Sequence, residues 1–127
     1  MDIAIYFKPV DTDALAPGGS APGKRYADTI DIYAREGSFP DFSIARIAIF
    51  GVNEDRNAVG NEGCAWGADL VRKHLYELFN GQDRGGVADL GNIMQGHTVD
   101  DTYFAVTNVV EALVMNNIVP VIIGGGQ

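Results

Sequence analysis

Apolar residues form two kinds of pattern in the chain from residue 43 onward. Three short runs, at 43–52, 87–90 and 118–123, are largely apolar, which is typical of strands covered on both faces of a parallel sheet. Between these runs, apolar residues recur every three or four positions, as in amphipathic helices. The order strand, helix, short strand, helix, strand predicts right-handed crossovers and a mainly parallel α/β sheet.

The apolar stripes of the two helices predict which sides face the sheet. Gly81 is placed to end the first helix in the left-handed conformation. Thr98 and Asp101 have the spacing of a capping box, which predicts the start of the second helix. The first stripe consists of Leu70, Val71, His74, Leu75, Leu78 and Phe79, with Asp69, Arg72, Lys73 and Glu77 off it, and the second of Tyr103, Val106, Val110, Leu113 and Val114.

The first 43 residues have a weaker pattern. Residues 3–7 and 25–33 suggest short extended segments, and 11–24 contains prolines and glycines without periodicity. This loop exceeds the usual connection length, so it is either functional or mobile, and we favour a mobile loop. The chain therefore divides into an amino-terminal extension, 1–43, and an α/β domain, 44–127.

Charge and composition exclude several function classes. The formal net charge is -8 and no cluster of Lys or Arg is present, which argues against nucleic acid or an anionic membrane as partner. A single cysteine, Cys64, rules out an intrachain disulfide and a cysteine-rich zinc site. No signal-peptide pattern and no apolar stretch of about 20 residues is present, so we expect a cytoplasmic protein without membrane spans.

Five segments, taken in order, resemble the amino-terminal signature of the arginase (ureohydrolase) family. The Gly-Gly-Gly form of the last one is most similar to the formimidoylglutamase branch. The resemblance extends over about residues 44–127. It is specific because the five segments occur in the same order as in the family. The segments are 51–56 (Gly-Val-Asn-Glu-Asp-Arg), 60–63 (Gly-Asn-Glu-Gly), 67–76 (Gly-Ala-Asp-Leu-Val-Arg-Lys-His-Leu-Tyr), 88–92 (Ala-Asp-Leu-Gly-Asn) and 120–127 (Pro-Val-Ile-Ile-Gly-Gly-Gly-Gln).

This resemblance implies a three-layer α/β/α fold with two manganese ions in the loops at the carboxyl ends of the strands. Two such cations activate a shared water, which would attack a guanidino or formimino small-molecule substrate. Gly124, Gly125, Gly126 and Gln127 would form one wall of that cleft. Gln127 stands where the family has its first histidine ligand, and an amide oxygen is a poor substitute for imidazole.

The family's other ligand motifs have no counterpart in the chain, so we assign no catalytic or metal residue here. We expect an amino-terminal fragment of a longer manganese hydrolase, inactive by itself and without a cofactor of its own. The alternative is a metal-free relative that acts as a binding or scaffold protein. An exposed edge on the last strand would also favour a homo-oligomer.

For several other polar residues, a structural role is favoured over a functional one. Asp55 and Arg56 follow a strand, where a loop ion pair or subunit contact is favoured over a ligand contact. A glycine turn such as 124–126 can also bind phosphate, but neither dinucleotide spacing nor a P-loop lysine is present. Structural roles are likewise expected for Asn61, Glu62 and Gly63 in a turn, Cys64 and His74 as packed side chains, His97 in a loop, and Asp100 and Asp101 in the first turn of a helix.

Overall fold

The computed structural model describes residues 2–11, 25–80 and 86–126. These residues build one sheet, in the order β1-β4-β3-β5, with β2 also paired to β4. Its strands are β1 (Phe7–Lys8), β2 (Asp31–Ile32), β3 (Ile47–Val52), β4 (Val87–Ile93) and β5 (Val119–Ile123). The α-helices of the described part are α1 (Tyr26–Thr29), α2 (Gly67–Leu75) and α3 (Val99–Met115).

The sheet is mixed but mostly parallel, as the sequence predicts for an α/β fold. Strand β3 pairs in parallel with β4 on one side and with β5 on the other. Ile47 lies opposite Val119, and the register continues to Gly51 opposite Ile123. Strand β1 runs antiparallel to β4. The mainly parallel sheet that the sequence predicts is therefore confirmed.

The core lies between the sheet and the helices and also includes the amino-terminal segment. Phe50 and Leu90 are fully buried at its centre. Phe7 makes an edge-on ring contact with Phe50, and Phe39 packs against both Phe7 and Tyr33. Residues before 44 thus supply strands and aromatic side chains to the same core.

Two short predicted elements near the amino terminus differ from the expectation. Residues 3–7, predicted as a strand, form a 3-10 helix, Ala4–Tyr6, before β1. Residues 25–33, predicted as extended, form α1 and then β2. The reason is local capping, because the Asp28 carboxylate accepts a hydrogen bond from the Arg25 backbone nitrogen and thereby stabilises one helical turn. The predicted loop at 12–24 and Gly81 lie outside the described residues.

The two later strands also have different limits from those predicted. A 3-10 helix, Phe42–Ile44, precedes β3, which begins only at Ile47. Strand β4 continues through Gly91 to Ile93 instead of ending at residue 90. A β-carbon at Gly91 would lie 2.1 Å from the Lys8 carbonyl oxygen, so glycine here allows β1 to approach β4.

Helix α3 begins where the sequence predicts, and its core-facing side coincides only in part with the predicted stripe. The Thr98 hydroxyl accepts from the Asp101 nitrogen, and the Asp101 carboxylate accepts from the Thr98 nitrogen, so the capping box is confirmed. Of the predicted stripe, Tyr103 and Val114 are exposed. Val106 and Val110 pack against the core, and Leu113 is fully buried. The buried side is made of Thr102, Ala105, Val109, Ala112 and Leu113.

The observed orientation of helix α2 differs from the predicted one more strongly than that of α3 does. Leu70 is 60% exposed, and His74, predicted to be packed, is also exposed. The side facing the sheet is instead formed by Ala68 and Arg72, followed by Tyr76, all of which are buried. The physical reason is an ion pair between Arg72 and β4, which rotates the charged side inward.

Strand β5 lies at the end of the sheet order and is mostly exposed, contrary to the prediction of a strand covered on both faces. Its proline fits this edge position. The Val119 nitrogen donates to the Arg46 carbonyl at 2.9 Å, so the ladder starts one residue before Pro120. Because donors alternate between the two sides of a strand, the Pro120 nitrogen faces away from β3, where no ladder donor is required. Within the described residues, no helix combines the length and the apolar character needed to cross a bilayer.

Candidate functional site

The carboxyl ends of β3, β4 and β5 meet at one edge of the sheet, where ligands bind in open α/β folds. The loop after β3 occupies the middle of this edge. On one side of it lies a cleft of about 570 Å³ between the ends of β3 and β4. The glycine turn after β5 lies on the other side. The cleft is lined by Lys8, Pro9, Asp11, Asn53, Asp55, Ala65, Trp66, Asp69, Asn92, Met94 and Gln95.

The glycine turn is packed directly on the backbone of the loop that follows β3. The Gly126 nitrogen donates to the Glu54 carbonyl at 2.8 Å. A β-carbon at Gly125 would lie 2.0 Å from that oxygen, and one at Gly126 would lie 2.7 Å from the Cys64 sulfur. Glycine is therefore required for this close approach. Cys64, expected to be packed, is half-buried here.

The role expected for residues 124–127 as a cleft wall remains a prediction. The lining of the 570 Å³ cleft is drawn from the amino-terminal segment and the β3, α2 and β4 regions. Gly124 to Gly126 border the opposite side of the loop after β3. Gln127, which would complete that wall, lies outside the described residues.

Glu54 connects the end of β3 to the start of α3. Its side chain is fully buried, and the Arg56 guanidinium donates to it at 2.6 and 2.9 Å. The Thr102 hydroxyl donates to the same carboxylate at 2.8 Å. Arg56 also donates to the carbonyls of Gly96 and His97, at 3.0 and 2.9 Å. The hydrogen bonds from Arg56 lower the pKa of Glu54 to about 2, against the opposing effect of burial. The carboxylate is therefore a fixed negative charge.

A second buried network holds α2 against β4. The Arg72 guanidinium is fully buried and donates to both carboxylate oxygens of Asp89, at 2.8 and 2.9 Å. The Tyr76 hydroxyl donates to the same carboxylate. Burial alone would lower the pKa of Arg72, but the hydrogen bonds and charge of Asp89 raise it. Burial, and then the negative charge of Asp89, raise the pKa of Tyr76. Arg72 and Tyr76 thus stay protonated, and Arg72 remains a cation.

This network also sets the floor of the cleft. Arg72 donates to the side-chain oxygen of Asn92 at 2.7 Å and to Asp69 at 3.1 Å. The Asn92 amide nitrogen donates in turn to Asp69 at 3.0 Å. Two cleft-lining side chains are therefore held in fixed rotamers by a cation that lies behind them.

The cleft itself is rich in hydrogen-bond acceptors. The side-chain oxygen of Asn53 is buried and has no hydrogen-bond partner among the described residues. Asp55 uses one carboxylate oxygen to accept from the Gly63 nitrogen at 2.7 Å. Trp66 lies at the rim with an exposed ring. Such a wall is complementary to a planar, N–H-rich group, which can donate to the oxygens and stack on the indole.

Comparison with family models, curated proteins and solved structures gives no match for this chain. The interpretation of the site therefore depends on its own geometry. In residues 2–11, 25–80 and 86–126, no three His, Cys, Asp or Glu side chains converge in a way that could hold a metal.

The structural roles expected of most other polar residues are confirmed, with changes of partner. Arg56 forms an ion pair, but with Glu54 rather than Asp55. Gly63 takes a left-handed conformation at φ 94°, as the predicted turn requires. Asp101 caps α3. His97 contributes its backbone carbonyl to Arg56 while its side chain is exposed.

Periodicity along the sequence does not reveal the residues that organise this edge, which are Glu54, Arg72 and Asp89. Glu54 and Arg72 each sit among polar residues, a context that is typical of the surface. One signal was available: Asp89 and Asn92 interrupt an otherwise apolar strand. A buried charge of this kind requires a partner from elsewhere in the fold.

Proposed function

We propose that this chain is the amino-terminal part of an arginase-superfamily hydrolase, closest to the formimidoylglutamase branch. Its longer form would cleave a C–N bond of a guanidino or formimino substrate in the cytoplasm. The observation that carries the proposal is the ordered set of motifs. The 51–56 segment ends β3 and starts the loop after it, and the Gly-Gly-Gly turn follows the adjacent parallel strand β5.

The strand order supports the three-layer arrangement that this family would have. The chain passes from β3 through α2 to β4, and then through α3 to β5 on the other side of β3. Two right-handed crossovers that run in opposite directions place their helices on opposite faces of a sheet. We therefore propose that α2 and α3 form the two outer layers.

The chemistry of the edge also supports a substrate of this class. A guanidino or formimino group is planar and rich in N–H donors. The Asn53 oxygen, which has no partner among the described residues, the Asp55 carboxylate and the exposed Trp66 ring are complementary to such a group. Glu54 and the glycine turn hold the neighbouring loop rigid, so the acceptors keep their positions.

Manganese, when bound in this family, supplies the activated water. The described residues do not provide its ligands, so we expect the 127-residue chain alone to be folded but without hydrolytic activity. The ligands of an active form would come from further polypeptide. In the longer protein, the present chain would supply the scaffold and the wall of the cleft that contacts the substrate.

The test compares the 127-residue chain with the longest reading frame that contains it. Both proteins are purified with manganese, analysed for metal content, and assayed for urea, ammonia and formamide release from guanidino and formimino substrates. Stoichiometric manganese and metal-dependent release by the longer protein alone would support the proposal. The absence of family-type ligand residues from the longer frame would remove it.

A second candidate function is a metal-free binding or scaffold protein, and Gln127 favours it. An amide at the position of the first histidine ligand weakens transition-metal binding. A longer protein that is folded, lacks manganese and still binds a guanidino ligand in calorimetry would select this candidate.

A further inference from the structure

The Asp69 carboxylate lines the cleft and is held through one of its two oxygens. The Arg72 guanidinium and the Asn92 amide both donate to Oδ1, at 3.1 and 3.0 Å. Within the described part of the chain, the other oxygen, Oδ2, has no hydrogen bond. The side chain is 20% exposed and belongs to the cleft lining. A fixed acceptor oxygen is therefore left for a ligand.

The charge of Asp69 is not cancelled by the network behind it. Arg72 brings one positive charge, and Asp89, which accepts two hydrogen bonds from it, already balances that charge. Tyr76 adds no charge, because burial raises the pKa of its hydroxyl. The group of Arg72, Asp89 and Asp69 therefore has one net negative charge. Asp69 is the member of this group that lines the cleft.

The rest of the cleft wall is also better suited to a cation than to a neutral molecule. Asp55 provides a second carboxylate, of which one oxygen accepts from the Gly63 nitrogen. The Trp66 ring is exposed at the rim. Among the described residues that line the cleft, Lys8 is the only base, and it is exposed on β1. Carboxylates beside an aromatic face bind a planar cation more strongly than a neutral group of the same shape.

We propose that Asp69 determines the charge specificity of this cleft, which binds guanidinium and amidinium cations without a metal and in preference to neutral ureas and amides. The inference rests on the proposed function for the reaction, but not for the binding itself. A guanidino or formimino substrate is a cation at neutral pH, whereas the urea or formamide that its hydrolysis releases is neutral. Asp69 thus favours the substrate over that product.

The experiment titrates the 127-residue chain with two cations, methylguanidinium and acetamidinium, and with their neutral counterparts, methylurea and acetamide. A chelator is present, the ionic strength is constant, and the titration extends to about 50 mM because such small ligands bind weakly. Trp66 is the single tryptophan, so its fluorescence reports binding, and NMR of the Asn53 and Asn92 side-chain amides locates it.

Each cation should bind about tenfold or more tightly than its neutral counterpart, because hydrogen bonds between charged partners are the stronger ones. This comparison uses the parent chain, so it does not depend on the folding of a variant. Equal dissociation constants for a cation and its counterpart, or no binding of either cation, would overturn the proposal.

Asp69→Asn keeps an oxygen for the bonds from Arg72 and Asn92 but removes the charge. The ratio of cation to neutral affinity should fall at least about fivefold. Glu62→Gln is the matched control, because Glu62 is exposed and outside the cleft lining, and the ratio should not change. Circular dichroism checks that both variants are folded.

Two results with the variants would overturn the assignment to Asp69. In the first, Asp69→Asn weakens the cations and the neutral molecules alike, as a purely structural role would. In the second, Asp55→Asn abolishes the preference for cations while Asp69→Asn keeps it. Neither result bears on manganese or hydrolysis in the longer protein. Conversely, a longer protein without metal ligands would remove the proposed hydrolysis and leave the binding measured here intact.

Discussion

The most informative perturbation is the removal of the Arg72 guanidinium by Arg72→Met. This side chain is fully buried and has four partners, of which Asp89 takes two bonds. The methionine fills much of the same volume but leaves the Asp89 charge without its counter-ion. It also leaves the oxygens of Asn92 and Gly91 without this donor.

The expected magnitude follows from the burial of both partners. Breaking a buried ion pair by removing one member costs about 3–5 kcal/mol. A domain of this size has a total stability of only about 5–15 kcal/mol, so Arg72→Met loses a large part of it. Replacing Asp89 as well, as Leu, removes the orphaned charge. The double variant should therefore be at least about 1 kcal/mol more stable than the sum of the single effects predicts.

The assay is equilibrium unfolding in urea, followed by far-ultraviolet circular dichroism. Lys73→Met is the matched control, since Lys73 is the exposed neighbour of Arg72 on the same helix, and we expect a change within about 0.5 kcal/mol. Tyr76→Phe removes only the hydroxyl that donates to Asp89 and should cost about 1.5–3 kcal/mol. If Arg72→Met fails to fold, Tyr76→Phe alone provides the measurement. A loss below about 1 kcal/mol for both variants would refute the reasoning.

Three further outcomes are expected. Gly125→Ala should lower the free energy of unfolding by about 1–3 kcal/mol, because its β-carbon would meet the Glu54 carbonyl at 2.0 Å. Gly67→Ala, at a helical position with nothing closer than 3.9 Å, should instead raise it by about 0.5–1 kcal/mol. Unfolding in urea distinguishes the two, and equal losses would contradict the packing argument. The pKa of Glu54 falls from 4.5 to about 2 on folding, so its contribution is complete above pH 4.5 and is lost as the pH falls toward 2. Since the Arg56 side chain is 32% exposed, we expect ionised Glu54 to contribute about 1–2 kcal/mol to the free energy of unfolding. This contribution is measured as the difference in acid unfolding between the parent chain and Glu54→Gln. Identical acid transitions of the two proteins would contradict it. Thr98→Ala should cost about 1 kcal/mol, whereas Thr107→Ala, at an exposed position within α3, should cost less in the same denaturation series.

The sequence was most informative where local chemistry decides the structure. The apolar runs around 47–52 and 119–123 are strands, because β-branched side chains favour extended backbone, whether the strand is buried, as β3 is, or mostly exposed, as β5 is. The capping box at Thr98 starts α3, since both of its hydrogen bonds join residues three apart. These features need no information about the rest of the fold.

Orientation and partners were decided by tertiary structure. The apolar stripe of α2 predicts its own burial, but the stripe faces outward because Asp89, seventeen residues away, binds Arg72 from inside. Likewise, Glu54 finds Thr102 across forty-eight residues of chain. Side-chain periodicity shows which residues share a face of a helix. It does not show which of these faces will pack against a charge on a distant segment.

The sequence by itself therefore determined the kind of fold, the order of strands and helices from β3 onward, and the glycines that the turn after β5 needs. Tertiary structure alone decided which side of α2 packs on the sheet and which polar groups form the cleft. The physical reason is that burial of a charge is tolerated only beside its counter-charge. That pairing exists only after distant segments have met.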